Sequence, residues 1–420
     1  TSAQVGALSV DQIKNLTTDQ VRAIQSSDLA ALKSDQIRGL TTDAIVKLTT
    51  DQIAGLSSAQ LGSLRTDQIA KLTTDQVRSI ETRDLVGLST DQIRTLSSDA
   101  IGKLSSDQVV ALSSGQFGSL MSDQIRSLSS DQIKALSTSA IAGVTTVQVM
   151  AMSSAKVAAL TTAQIKQLST DQIKALDAAG VAGFSTSQLA ALSTTQLGAV
   201  TAVQVKGLTT AQVLALGTSG VTALSSTQVA ALTVDQMGAL STAEAAALST
   251  AQVKALNAGQ LSALTTSALA GLGTDRIQVL SADQVKGLTT AAVAALSTAQ
   301  AAALTTAQLA ALGNSQIGAM STAQVGALTT AQAKVLTSDE LGTLDSSEIT
   351  NLTAAHIAVL GSAQLNAIAS DVIGAMTNDQ VQAITTGALK NLDSDHIAGL
   401  SSNQMSALTV SQAKVLTSDQ

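Results

Sequence analysis

The chain has 420 residues with a net charge of −7 and 13% charged residues; it contains two Phe and no Tyr, Trp, Pro or Cys. Lack of cysteine excludes disulfides and thiol chemistry, and a sparse acidic charge argues against nucleic acid as a partner. No apolar run approaches the roughly 18 residues of a membrane span, and a core must be built from Leu, Ile, Val and Ala.

One eight-residue unit is written from Thr1 to the end without insertion or deletion. Ser169-Thr170-Asp171-Gln172-Ile173-Lys174-Ala175-Leu176 is a representative copy. There are 52 complete copies, and Thr417-Ser418-Asp419-Gln420 opens another. Positions 5 and 8 of the octad are apolar throughout. Three residues apart, they share one face of a helix. In a strand they would point to opposite faces.

The polar half predicts where each helix starts. Ser or Thr at position 1 with Gln at position 4 is a capping box, and the apolar residues before the cap and at position 5 have hydrophobic-staple spacing. Of 52 copies, 38 carry Ser or Thr at position 1. Eight carry Asp177, Asp345, Asp393, Asn257, Gly217, Gly273, Gly313 or Gly361, which are accepted N-cap residues. Six do not: Gln25, Lys33, Arg65, Glu81, Met121 and Ala369. Each is followed by Ser or Thr, which is expected to take over the cap one residue later. Asp at position 3 and Lys or Arg at position 6 suit the two ends of the helix dipole.

A single long helix is excluded by the octad itself. Its apolar stripe would drift about 80° per copy. Short helices of about two turns fit, and none is stable alone below ~12 residues. The predicted fold is therefore all-α, an elongated solenoid or superhelical array with one capped helix per octad. Positions 5 and 8 form its core, position 6 and parts of positions 2 and 3 face outward, and small residues at position 7 let backbones approach. Residues 1–420 read as a single continuous array with no linker.

Along the chain, charge is highest from Thr1 to about Leu136. Here Gln25–Leu29 matches Glu81–Leu85 at an offset of seven octads, and Thr17–Ile24 matches Thr73–Ile80 likewise. Seven octads read as a duplicated block, with no geometry assigned to it. From about Ser137 to Leu336 charge falls away, as expected of a face that is either buried against another subunit or under little solvent-driven specificity. From Thr337 it returns, mostly acidic, with Asp339, Glu340, Asp345 and Glu348. Gly273 and Gly313, like His356 and His396, stand five octads apart, a hint of a five-octad cycle that does not set the number of helices per turn.

No catalytic, cofactor-binding or metal-binding residue is assigned. His356 and His396, the two histidines, both sit at position 4 and are read as replacements for the capping Gln; a two-His metal site would lack a third ligand. The recurrent Asp of position 3 lacks a calcium-loop pattern and is read as dipole pairing. Ice binding through Ser/Thr arrays conflicts with hydroxyls committed to caps. The sequons Asn15-Leu16-Thr17 and Asn351-Leu352-Thr353 straddle octad boundaries and are read as products of the repeat. No nucleophile elbow or Ser/His/Asp set is present, and the chain is read as not an enzyme.

Leu-Thr-Thr-Ala-Gln-Val resembles the opening of TAL-effector repeats, but this chain has neither their basic charge nor their base-reading loop, so DNA reading is not carried over. More closely, the chain resembles long repetitive bacterial exoproteins and adhesins built from Leu-Thr-Thr-Ala-Gln-Val-Ala-Ala-Leu units. That resemblance implies secretion, a location outside the cell or at its surface, and a structural role without catalytic residues. The chain opens and closes mid-repeat, so a mature fragment of a longer protein is expected. Uncapped repeat ends would favour association with further copies. The expected function is a self-assembling filament, sheath or surface-layer component, with an adhesin stalk carrying a tip domain as the alternative. The expected partner is a further copy of the chain, with no small-molecule ligand and no cofactor.

Overall fold

The computed structural model describes all 420 residues. Each of the 52 octads forms one short helix: 51 are α-helical, one is 3-10, and there is no strand. The chain divides into two compact units, Thr1–Ala215 and Leu216–Gln420. The octad register of the sequence runs through both.

The octad at Ser169 shows how local chemistry makes each helix. The Gln172 N–H donates to Ser169 Oγ at 3.1 Å, and the Ser169 N–H donates to Gln172 Oε1 at 2.6 Å. Two otherwise orphaned donors are thereby satisfied at the start of helix Thr170–Ala175. The helix stops because Leu176 is extended (φ −61°, ψ 139°) and the next cap continues in the same region. Two extended residues make the turn, so neither Pro nor a left-handed Gly is needed.

Burial follows the predicted pattern. Ile173 and Leu176 are 0% and 5% exposed, and positions 5 and 8 form the core of each unit. Each such side chain contributes about 1.5–3 kcal/mol of transfer free energy before entropy is counted. The sequence pattern did not show that position 4 is buried too: Gln52, Gln68, Gln164 and Gln172 are all at or below 3% exposed.

Within a unit each helix packs on the third before it and the third after it, as Thr50–Ala54 does on Ser26–Ala30 and Thr74–Ser79. Small residues at position 7 permit this approach. A Cβ added to Gly87 would lie 2.1 Å from the Ser58 carbonyl oxygen, and one added to Gly399 would lie 2.7 Å from that of Ser370.

Several expectations for helix starts are corrected. At Gln25, Lys33, Arg65, Met121 and Ala369 the cap does not slip to the following hydroxyl. The helices start in register at Ser26, Ser34, Thr66, Ser122 and Ser370, and the side chain of the cap residue makes no capping bond. Core packing of positions 5 and 8 fixes the register, so the Ser or Thr at position 2 lies inside the first turn. The octad of Glu81 forms only the 3-10 turn Leu85–Gly87. Gly217 is not a cap: its φ is +63°, and its helix runs from Gly217 to Ala223 after a helical Leu216. Asp393 occupies its cap position without the expected side-chain bond, because Asn366 Nδ2 donates to its carboxylate at 3.1 Å.

Candidate functional site: the glutamine ladder

Position 4 is where the sequence concentrates its buried polar chemistry. The Gln there does two things. Its Oε1 accepts from the cap N–H, as predicted. Its Nε2 reaches the preceding turn of the same unit and donates to backbone carbonyls. Gln68 Nε2 donates to the Leu40 carbonyl, 28 residues earlier, at 2.6 Å. Gln164 donates to the carbonyls of Ile133 (3.1 Å), Lys134 (3.3 Å) and Leu136 (2.8 Å), 31, 30 and 28 residues earlier. In the second unit Gln332 reaches Ala301 and Leu304 at 2.9 and 2.7 Å.

These acceptors are the orphaned carbonyls at the C-terminal end of the helix four octads back. One side chain therefore caps the start of its own helix and the end of another. Contacts between turns fall at offsets of 25 to 31 residues, so each unit winds about three and a half octads per turn. This corrects the hint of a five-octad cycle, since five octads are not a whole number of such turns. It also gives the seven-octad duplication a geometry. The copied block spans two whole turns, so Asp28 and Asp84 take equivalent places. Asp28 accepts from the Ser2 hydroxyl at 2.6 Å, and Asp84 from the Ser58 N–H at 2.9 Å.

Substitutes at position 4 show what the ladder requires. Arg276 Nε donates to the Leu248 carbonyl, 28 residues earlier. Lys156 Nζ donates to that of Arg126, 30 residues earlier, at 2.5 Å. Burial, with the Arg126 charge, holds the Lys156 ammonium below its ordinary range.

The two histidines serve the same ladder. His356 Nδ1 accepts from the Thr353 N–H at 3.1 Å, and its ring bonds the Leu328 backbone on the preceding turn. Because Nδ1 accepts, the imidazole is neutral with its proton on Nε2, and burial pushes its pKa down. His396 Nε2 bonds the Ile368 carbonyl at 2.7 Å. Its Nδ1 is buried without a partner, because the Asp393 N–H that it would hold donates instead to Asn366 Oδ1 at 3.1 Å.

The other candidates lie apart. Asp51, Asp171 and their equivalents are exposed in first turns. Asp67 is held below the usual carboxylate range, chiefly by its bond to Arg65, and Asp123 by its bond to Ser98. Asn15 and Asn351 are exposed, and their amides donate to Asp11 and Ser347 carbonyls at 2.8 Å. No group of three or more His, Cys, Asp or Glu is placed to hold a metal ion. An open cleft of about 520 Å³ lies between turns beside Arg94, Met121, Val147 and Gln148. No helix is long and apolar enough to cross a membrane.

Comparison with protein families gives ten matches to the ALTTAQ repeat: residues 21–58, 77–114, 111–146, 141–178, 181–218, 205–242, 234–266, 284–314, 310–346 and 373–410. Together they cover well over half of the chain. The chain belongs to the ALTTAQ repeat family. No curated protein matches it significantly. The ALTTAQ segment 21–58 is longer than one turn and contains a whole rung, from the Val21 carbonyl to Gln52 Nε2 at 3.0 Å.

Proposed function

We propose that this ALTTAQ-repeat protein is a structural protein that self-assembles outside the cell, as a component of a filament, sheath or surface layer. One observation carries the reading: the recurrent polar side chain of the repeat is turned inward and engaged in the fold's own ladder. The repeated chemistry maintains a shape.

A second observation supports self-association. In the weakly charged central octads of the first unit, Val147, Met150 and Val203 are 61%, 69% and 71% exposed. Large apolar side chains at that exposure favour a covered surface. No catalytic role is part of this reading, and neither is a small-molecule ligand.

Electron microscopy of the purified chain tests it, with Val147→Lys/Met150→Lys as the comparison. Filaments or sheets that the double variant fails to form are the expected result. Dispersed single particles of the unaltered chain would overturn self-assembly and leave an adhesin stalk as the better reading.

A further inference from the structure

At three consecutive rungs of the second unit the Gln is replaced by a residue with an ionisable side chain. The replacements are Glu340, Glu348 and His356, at 3%, 7% and 4% exposure. The two glutamates keep the capping half of the rung. Glu340 Oε2 accepts from the Thr337 N–H at 2.7 Å, and Glu348 Oε2 from the Asp345 N–H at 2.8 Å. The other half needs a donor. In the two preceding rungs Gln324 donates to Val293 and Leu296, and Gln332 to Ala301 and Leu304. The same offsets from the glutamates lead to the carbonyls of Leu309 and Leu312, and of Ile317 and Met320. A carboxyl group has the shape of a carboxamide, but it donates only when protonated.

We propose that Glu348 is a proton-operated rung. As a neutral acid it donates to the Met320 carbonyl and closes the ladder. As a carboxylate it releases that carbonyl, and the segment from about residue 317 to 352 loosens.

The surroundings leave the carboxyls little else to answer to. Helix Ser338–Leu341 packs on Asn314–Ile317 and Ser362–Ala367, which carry no titratable residue. Helix Ser346–Asn351 packs on Thr322–Gly326, which has none, and on Ser370–Ile373, whose Asp371 is exposed. Nearby charges are Lys334 on the octad before, Asp339 and Asp345 on the same octads, His356 on the next, and Asp379 beside Gln380, whose Nε2 donates to the Ile349 carbonyl. Burial, reinforced by the Asp345 charge and opposed by its N–H, holds Glu348 above its ordinary value of 4.5.

A carboxyl raised in this way contributes stability that is fully present below 4.5 and is lost as pH rises through its native value. His356 works in the opposite sense. Its lowered pKa contributes stability that is present above 6.5 and is lost as pH falls. The two effects are separable only once the histidine is replaced.

Amide hydrogen exchange of the full chain, corrected for intrinsic rates, provides the test. In a Glu340→Gln/His356→Gln background, protection across residues 317–352 should fall about tenfold between about pH 4.5 and about pH 8, the order of one or two net hydrogen bonds. Adding Glu348→Gln, which restores the residue of the neighbouring rungs, should abolish that fall and keep protection high at the upper pH. Equal protection at both pH values in the double-variant background would overturn the proposal. So would a fall that persists in the triple variant.

Discussion

At the scale of the residue, Gln at position 4 explains more of this molecule than any other side chain. Its carboxamide offers an acceptor and a donor at a fixed separation, and the fold uses both. The acceptor closes the cap of its own helix. The donor covers a carbonyl that would otherwise be buried without a partner, which costs about 1–3 kcal/mol. Replacing Gln164 by Leu keeps the bulk and removes both functions, releasing the Thr161 N–H and the Ile133 and Leu136 carbonyls. It should therefore destabilise the first unit by about 1–3 kcal/mol, read from the urea midpoint. An unchanged midpoint would mean that the ladder contributes nothing. The capping half of this role was legible in the sequence, because cap and Gln are three residues apart. The other half was not, because its acceptors are backbone atoms a whole turn of the array away, and no side-chain pattern marks a carbonyl. The reading of the histidines as replacement capping residues holds at His356, whose ring also bonds the Leu328 backbone, and fails at His396, whose Nδ1 caps nothing.

At the scale of the element, the octad determines one helix, its start and its buried face, and all three could be read from spacing. What the sequence did not reveal is which constraint wins when they conflict. At Met121 the hydroxyl of Ser122 was expected to shift the start by one residue. Instead Met121 keeps the cap position, 48% exposed, while its N–H still donates to Gln124 Oε1 at 2.7 Å. Moving the cap would turn Ile125 and Leu128 out of the core, and two buried side chains outweigh one hydroxyl bond. Met121→Ser should therefore supply the missing acceptor without moving the helix and stabilise by about 1 kcal/mol. Thermal unfolding of the single variant measures this, and a lower midpoint would show that the methionine is held by packing instead. Where the Gln itself is lost the helix can fail: with Asp84 in its place, the octad of Glu81 keeps only a 3-10 turn.

At the scale of the whole molecule, the sequence repeat and the spatial repeat differ. The sequence repeats with every octad, whereas each unit winds about once every three and a half octads, the middle of the 25- to 31-residue offsets between its turns. Equivalent residues therefore face the same way only every second turn, and two turns are the seven octads of the duplicated block in the charged part of the chain. The sequence contained that spacing but gave no reason for it; the winding supplies one. The all-α array and its family were legible from the octad alone. The turn length was not, because it depends on which carbonyls the buried Gln side chains reach.

A chain without cysteine allows the winding to be measured by cross-linking. A Cβ built on Gly207 lies 3.5 Å from that of Ala178 on the preceding turn, within the range that a disulfide bridges. The variant carrying Ala178→Cys and Gly207→Cys should oxidise within the monomer to a single cross-linked species. The variant carrying Thr138→Cys and Ala178→Cys, spaced five octads apart, should remain reduced under the same conditions. Cross-linking of the second pair and not the first would contradict the turn of three and a half octads and the ladder that sets it.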